Sequence, residues 1–279
     1  MKSMLQTAKR GKYGVGAFNF NDFDDAAGIA EAAKATGSPV ILMTSEKAAA
    51  FIGPAVAAGI ARGLAESMGA PCALHLDHAK NFDFICECVR AGYTSVMIDA
   101  SEMPFHENIK TTKKVADFAK GYDVSVEGEL GTIGGKEDGI HGKAELIDPS
   151  MAAEYVEKTG VDALAAGIGT VHGFYKSEPA IRFDLISEVA RLTDAPLVMH
   201  GGTGVSEADF KRAIECGIVK VNVGTELKHV FTRALRECAA ALPEEDIEVK
   251  RYMSRVREAC KRVAEGKMAI FGCAGKAAQ

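Results

Sequence analysis

The sequence predicts an α/β fold, a single-domain (β/α)8 TIM barrel over residues 1–279 with a helical extension at its carboxyl end. Two observations support it. Eight apolar, strand-like runs alternate with amphipathic stretches, and the chain of 279 residues has about the length of one such barrel, roughly 250 residues. Alternating strands and helices imply parallel pairing. A doubly wound open sheet is the alternative, but no run is followed by the GxGxxG turn of a dinucleotide site.

The predicted strands follow one another at intervals long enough for a helix. In chain order they are YGVGAFNF, SPVILMTS, PCALHLDH, TSVMIDAS, DVSVEGEL, DALAAGIG, APLVMHGG and IVKVNVGT. Helical periods between them include residues 24–37, 81–92 and 149–160, the last ending at Gly160, a residue suited to a C-cap. Beyond the eighth run, residues 244–268 predict one long helix that docks across the barrel or against a partner subunit.

One connection between predicted strands is unusually long. Residues 131–147 are rich in glycine and charge, and long segments of this kind are often lids. We expect a flap over the functional site. The alternative is a tolerated insertion, in which His141 is merely solvated.

Composition narrows the classes of partner and compartment. The net charge of −5 comes without a basic stripe, so no nucleic acid is expected. No apolar run approaches the roughly 20 residues of a membrane span, and the first residues lack the apolar core of a secretory signal. Seven cysteines without framework spacing predict reduced thiols in the cytoplasm. Cys86 and Cys88 point in different directions on a predicted helix, which favours buried packing over a metal pair.

Three histidines each close a strand-like run: His78, His172 and His200. A catalytic zinc ion needs neutral imidazoles from separate, rigid points of a fold and an open position for substrate. One such histidine alone would more often be structural. Three of them at strand ends predict a metal site.

Polar residues recur at the predicted carboxyl ends of successive strands, where active sites of parallel barrels lie. Besides the three histidines they are Asp77, Asp99, Glu129 and Asn222. Two segments follow strands seven and eight, the usual place for a phosphate site in this fold: Gly201–Gly202–Thr203 and Asn222–Val223–Gly224–Thr225. Glycine lets backbone N–H groups approach an anion, and threonine hydroxyls add donors.

With these residues in place, the chain resembles the class II, zinc-dependent ketose-bisphosphate aldolases, the group of fructose- and tagatose-bisphosphate aldolases. The resemblance covers nearly the whole chain. Its motifs are GAFNFND, SPVILMTSE, LHLDH, GYTSVMIDAS, SVEGELGTIGG, GTVHGFYKSEP, HGGTGV, VNVGTEL and FGCAGKA.

The resemblance implies roles for individual residues. It assigns zinc to His78, His172 and His200, and an alternative metal position to Asp99 and Glu129. The residues implied for catalysis are Asp77, as acid/base, and Asn222, which would also contact the enediolate. The implied substrate and phosphate site comprises Asn19, Ser45, Gly173, Gly201, Gly202, Thr203, Asn222, Val223, Gly224 and Thr225.

The implied reaction is reversible aldol cleavage of a phosphorylated ketose, fructose 1,6-bisphosphate or tagatose 1,6-bisphosphate. The products are dihydroxyacetone phosphate and an aldehyde such as glyceraldehyde 3-phosphate. Zinc polarises the ketone, or enediolate, oxygen as a Lewis acid, and Asp77 takes the C4 hydroxyl proton. Family members often bind a sodium or potassium ion beside the phosphate, and they are commonly dimers or tetramers.

Departures from the family pattern leave the ketose open. Ala79 follows LHLDH where glycine is common, and Met43 stands where a polar residue is common. The segment EEDIEVKRYMSRV replaces a DPRK-type stretch that helps to bind the distal phosphate, and we assign that task to neither Lys250 nor Arg251.

Three other functions stay open on the residues alone. A Schiff-base aldolase needs an interior lysine, and Lys220 shares strand parity with Asn222. A metal-dependent hydrolase would use zinc to activate water. A non-catalytic protein would bind sugar phosphates without turnover.

His75 shares a strand face with Asp77, and a packed, hydrogen-bonded role is expected for it.

Overall fold

Eight parallel strands close into a barrel in the computed structural model, which describes residues 1–137, 140–142, 144–173 and 179–278, with the backbone alone for 136, 137 and 140–142. The barrel strands are β1 (Val15–Asn19), β2 (Val40–Ser45), β3 (Cys72–Ala79), β4 (Ser95–Ile98), β5 (Ser125–Leu130), β8 (Ala163–Ala166), β10 (Leu197–Met199) and β11 (Ile218–Val223); three short strands outside the barrel are β6 (Gly134–Glu137), β7 (Ile140–Gly142) and β9 (Val171–His172). Neighbours around the barrel follow chain order, and β11 closes against β1. The predicted barrel is confirmed.

Helices follow the strands and cover the outside of the barrel. They are α1 (Lys2–Gly11), α2 (Phe23–Thr36), α3 (Glu46–Ile52), α4 (Pro54–Met68), α5 (Phe82–Ala91), α6 (Phe105–Lys120), α7 (Pro149–Thr159), α8 (Phe183–Leu192), α9 (Glu207–Cys216), α10 (Thr225–Ala241) and α11 (Val249–Ile270). Because helices lie on one face of each strand and the packed interior on the other, nearly all barrel-strand residues are buried.

Local sequence accounts for several helix ends. Asp22 caps α2 with a capping box, its side chain accepting from the backbone N–H of Asp25 while the Asp25 side chain accepts from that of Asp22. Gly160 ends α7 in the left-handed conformation, as predicted. Cys86 and Cys88 are buried, free thiols in α5, which also agrees with the prediction.

The long connection after β5 contains secondary structure. Strands β6 and β7 form an antiparallel hairpin, and β6 also pairs in parallel with β9, where His172 lies. Backbone hydrogen bonds thus tie the described part of residues 131–147 to the strand of a site histidine, and the flap over the functional site stays a prediction. The side chain of His141 lies outside the described part of the chain.

The carboxyl-terminal helix α11 packs against α2 and α10. It starts at Val249, five residues later than predicted, because Glu248 is its N-cap, with a side chain that accepts from the N–H of Lys250, while Asp246 accepts from the N–H of Glu248 before the helix. Backbone N–H groups of Gly275 and Ala277 donate to the carbonyls of Thr36 and Gly37, each over 2.8 Å. The end of the chain is thus fastened to the start of the barrel.

No single helix in the described ranges has both the length and the apolar composition needed to cross a membrane. The helices α3 and α4 reach that composition only together, and they meet at a bend of 91°.

Candidate metal centre

Three buried histidines meet at the carboxyl end of the barrel. His78 lies near the end of β3, His172 in β9, and His200 directly after β10. One ring nitrogen from each lies within 4.8 Å of the other two. The sequence prediction that these three residues come together is confirmed.

A bulge in β3 allows two consecutive residues to face the same site. Successive side chains on a regular strand point to opposite faces, so Asp77 and His78 would be separated. Between Leu76 and Ala79 the pairing with β4 slips by one residue, and His78 has a positive φ of 47°. Left-handed backbone at a histidine is strained, and strain of this kind is concentrated at functional sites.

Two carboxylates hold the outer nitrogen of His78. Its Nδ1 lies 3.1 Å from Oδ2 of Asp99 and 3.8 Å from Oε2 of Glu129. Burial alone lowers the pKa of His78, but Asp77, Asp99 and Glu129 outweigh it and raise that pKa to about 10. Burial would likewise raise the pKa of Asp99, yet the hydrogen bond and charge of His78 bring it below its ordinary value. In the metal-free protein His78 is therefore an imidazolium paired with Asp99.

His78, Asp99 and Glu129 form a second group of ligand atoms within 4.8 Å of one another. Burial, followed by the charge of Asp99, raises the pKa of Glu129 to about 8. The resemblance implies an alternative metal position at Asp99 and Glu129, and the structure places both carboxylates beside His78.

His200 is held from the opposite side by Glu127, which the sequence analysis missed. Glu127 Oε1 lies 2.8 Å from Nε2 of His200, and both side chains are fully buried. Burial, then the charge of His78, hold the pKa of His200 well below its ordinary value. Strand parity could have revealed Glu127, because it lies two residues before Glu129 in β5 and so shares its inward face.

The hydrogen bonds define which ring atoms point to the centre of the histidine cluster. His78 Nε2 and His200 Nδ1 lie 2.7 Å apart. Since Asp99 and Glu127 accept from the other nitrogen of each ring, the geometry assigns the shared proton to His78 and leaves His200 Nδ1 as its acceptor. That proton occupies the direction in which both rings would ligate a metal ion. The donor set of three imidazoles with adjacent carboxylates fits zinc.

Asp77 and Asn222 are neighbours at this centre. Asn222 Nδ2 donates to Oδ1 of Asp77 over 3.1 Å and lies 3.3 Å from Nδ1 of His200. The predicted acid/base residue is therefore oriented by the predicted amide beside the metal ligands.

Seven of the ten predicted substrate residues border one small cleft. They are Asn19, Gly173, Gly201, Gly202, Thr203, Asn222 and Gly224; the predicted acid/base Asp77 and the predicted metal ligand His172 line the same cleft. Gly201 has a φ of 69°, and a Cβ there would lie 2.4 Å from the carbonyl oxygen of Val171. Glycine is required at this wall of the cleft for both reasons.

The remaining predicted residues lie beside the cleft rather than on it. Ser45 caps α3, its Oγ accepting from the N–H of Ala48 over 3.2 Å. Val223 packs into the hydrophobic core, and Thr225 is the first residue of α10. Thr203 Oγ accepts from the N–H of Glu226 over 3.3 Å, so the amino-terminal turn of α10 adjoins the cleft.

His75 and Lys220 lie below this level in the barrel, fully buried. His75 Nδ1 is 2.7 Å from Oγ of Ser95, which confirms its predicted packed, hydrogen-bonded role. Lys220 faces inward as its parity predicts, but its Nζ is ion-paired with Glu127 over 2.8 Å. A lysine held in this way is not available as a Schiff-base nucleophile.

A closed parallel barrel with metal-capable histidines, a carboxylate and a glycine-lined cleft at its carboxyl strand ends defines a barrel enzyme of the metal-dependent type. The comparisons with known proteins are specific within that class. The family model for fructose-bisphosphate aldolase class-II matches residues 1–276. The chain belongs to the class-II fructose-bisphosphate aldolase family, and it is an aldolase, a carbon–carbon lyase.

Individual relatives agree over the whole chain. It is 44% identical to the fructose-bisphosphate aldolase of Geobacillus stearothermophilus over 283 residues, with 100% of this chain and 98% of the relative covered. It is 43% identical to a probable fructose-bisphosphate aldolase of Bacillus subtilis strain 168, with 99% and 98% covered. Among solved structures, the YdjI aldolase of Escherichia coli K12 superposes with a TM-score of 0.86 at 31% identity, covering 99% and 98%. The hydrolase and non-catalytic interpretations are set aside.

Proposed function

We propose that this single-domain protein is a zinc-dependent aldolase that reversibly cleaves fructose 1,6-bisphosphate to dihydroxyacetone phosphate and glyceraldehyde 3-phosphate. One observation carries the proposal: Asp77, His172 and Asn222 line the same cleft as the Gly201–Thr203 segment. A carboxylate, a predicted metal ligand and a backbone segment suited to an anion thus meet at one cleft. The names of the relatives support the fructose substrate.

Zinc would be held by His78, His172 and His200, with Asp99 and Glu129 as the alternative position. The ion, when bound, supplies a Lewis acid that withdraws electron density from the ketone of the substrate. Asp99 and Glu127 accept hydrogen bonds from the outer nitrogens of two ligands and so orient them.

Asp77 would act as the acid/base. In cleavage it takes the proton of the C4 hydroxyl, so the C3–C4 bond breaks, the C4 oxygen becomes an aldehyde and the bonding electrons stay on the ketose fragment. In synthesis it returns the proton. Asn222 orients the Asp77 carboxylate and would contact the enediolate fragment.

The phosphate of the ketose fragment would lie among Gly173, Gly201–Thr203 and Asn222–Thr225. Backbone N–H groups and the amino-terminal turn of α10 supply donors and a partial positive charge for an anion. Asn19 and Ser45 would complete the pocket, and a sodium or potassium ion would accompany the phosphate. We also propose that the protein is a homo-oligomer, a dimer or a tetramer, as the resemblance implies. We place it in the cytoplasm, because its seven free cysteines fit a reducing compartment.

Cleavage of the two ketose bisphosphates tests this function. Fructose 1,6-bisphosphate and tagatose 1,6-bisphosphate are each assayed before EDTA, after EDTA and after zinc is added back. We expect faster cleavage of the fructose epimer, loss of activity with chelator and recovery with zinc. Cleavage that EDTA does not affect would contradict the zinc site, and a higher rate on tagatose 1,6-bisphosphate would reassign the substrate.

A further inference from the structure

A buried ionic layer lies directly beneath the metal centre. It comprises Lys220, Glu127 and His75, whose side chains are all 0% exposed. Barrel interiors are normally filled by branched apolar side chains, and unpaired buried charges are strongly unfavourable. The layer therefore calls for an explanation beyond packing.

Glu127 connects this layer to the centre through its two oxygens. Oε2 accepts from Nζ of Lys220 and Oε1 accepts from Nε2 of His200, each over 2.8 Å. Its carboxylate is thus fully committed, with one oxygen turned toward the lysine and the other toward the histidine. His75 Nε2, 3.8 Å from Oε2, lies on the remaining side, and His75 itself is fixed by Ser95.

The orientation of Glu127 decides the tautomer of His200. Because Oε1 can only accept, the His200 proton is held on Nε2 and the lone pair is left on Nδ1. Nδ1 is the atom that faces Nε2 of His78 at the centre. Lys220 fixes Glu127 in turn and balances its charge.

We propose that the buried Lys220–Glu127 pair is a positioning device that holds His200 in the tautomer whose Nδ1 faces the metal. The two residues act through His200 and touch neither substrate nor metal. The inference deepens, and rests on, the proposed zinc site.

The variant Glu127→Gln tests the pair with a change of very few atoms. With Lys220 present, the ammonium attracts the amide oxygen of the glutamine and turns its NH2 group toward His200 Nε2. Two donors cannot face each other, so the proton of His200 moves to Nδ1, and His78 releases its Nε2 proton and becomes the acceptor there. We expect the zinc dissociation constant, measured by competition with a chelator, to rise about 10–100-fold.

The second variant, Glu127→Gln with Lys220→Met, is the decisive one. Without the ammonium, the amide oxygen can turn back to accept from His200 Nε2, and no charge is left buried. We expect the second substitution to restore most of the zinc affinity lost in the first. Nitrogen-15 NMR of the histidine rings in the metal-free proteins reports the tautomer: Nδ1 protonated in the single variant, Nε2 protonated in the parent and in the double variant.

A core substitution serves as the matched control. Ile41→Val shortens a buried apolar side chain of β2 and changes neither a charge nor a hydrogen bond, so we expect unchanged zinc affinity whatever its melting temperature. Parent-like zinc binding by Glu127→Gln, or a double variant that binds no better than the single one, would overturn the inference. A parent protein that binds no zinc would instead overturn the proposed function. If the single variant does not fold, the double variant is the test. Loss of its zinc affinity, or of the Nε2-protonated tautomer of His200, would overturn the inference.

Discussion

At the scale of single residues, the centre depends on a strained histidine. The left-handed backbone of His78 lets it share the site with Asp77, its neighbour in sequence. Such a conformation costs of the order of 1–3 kcal/mol and persists only where surrounding contacts enforce it. Here Asp99 and His200 hold the ring at both nitrogens.

Asp77→Asn is expected to abolish most activity while leaving zinc bound. The amide keeps an oxygen for Asn222 but cannot take a proton, and positioned acid/base groups contribute about 10²–10⁴-fold in rate. Steady-state kinetics and metal analysis of the purified variant measure the two effects. Asp83→Asn, an exposed residue of α5, should behave like the parent. Near-parental turnover in the Asp77 variant would remove this residue from the acid/base role.

Zinc binding is expected to release a proton from His78. Since the surrounding carboxylates raise its pKa to about 10, the ring is charged at pH 7, and zinc requires it neutral. Calorimetry in buffers of different ionisation enthalpy should give about one proton released per zinc, with affinity rising between pH 6 and 9. His106→Gln, on the exposed start of α6, should not change this number. Binding without any buffer dependence would contradict the charged state of His78.

The raised pKa of His78 also affects the free energy of unfolding of the metal-free protein. The folded pKa of His78 lies above the ordinary value of 6.5. Its contribution to the free energy of unfolding is therefore fully present below about pH 6.5 and is lost as the pH rises through about 10.

At the scale of elements, the hairpin β6–β7 supports the strand that carries His172. Gly135 is paired with His172 across β6 and β9. A Cβ at Gly135 would lie 2.3 Å from the carbonyl oxygen of His172. The segment that the sequence suggests as a flap is thus also paired with the strand of a predicted metal ligand.

Gly135→Ala is expected to impair the site more than the fold. The added methyl group pushes β9 away, and a displacement of about 1 Å at a catalytic group costs up to roughly 100-fold in rate. Gly69→Ala is the matched control. Gly69 also has a positive φ, 64° compared with 107° for Gly135, but nothing lies within 4 Å of a Cβ added there. Both variants should lose about 1–2 kcal/mol from left-handed strain, and only the first should lose zinc affinity and kcat/KM. Equal zinc affinity in the two variants would show that β6 does not fix His172.

At the scale of the whole molecule, α11 fastens the end of the chain to its beginning. Arg257 donates to Oδ1 of Asp24 in α2 over 2.6 Å, and its guanidinium lies over the ring of Phe23. A Cβ at Gly28 would lie 2.5 Å from the carbonyl of Arg257, so the two helices are in close contact. We therefore expect the contact between α11 and α2 to affect the stability of the fold and not the activity of the site.

Arg257→Met is expected to lower the free energy of unfolding by roughly 0.5–1 kcal/mol with kcat unchanged, because a partly exposed ion pair is lost. Urea unfolding and initial rates measure the two quantities. Arg262→Met, which removes an exposed pair within α11, should change stability by less than about 0.5 kcal/mol. A fall in kcat in the Arg257 variant would show that α11 also affects the site.

Much of the site was predictable, since polar residues at the ends of parallel strands meet at one end of a barrel. Strand order therefore brings together His78 and His200, with Asn222 beside them, and His172 joins them from β9, which follows the barrel strand β8. Strand parity places Glu127 on the inward face with Glu129, but its histidine partner was not predictable, because sequence does not show which glutamate faces which histidine. The pairing of β6 with β9 escaped prediction because hydrogen bonds between distant backbone segments leave no periodic signal.

The sequence by itself determined the barrel and the identities of the expected ligands, because alternating periodicity and strand-end chemistry are local properties of the chain, and its motifs carried the resemblance to the family. Only the tertiary structure decided how Asp77 and His78 share one site, which carboxylate orients which imidazole, and that Lys220 is an ion-pair partner. Those features depend on a bulge and on contacts between residues far apart in sequence, such as the 93 positions between Glu127 and Lys220. They are settled by packing across the closed barrel.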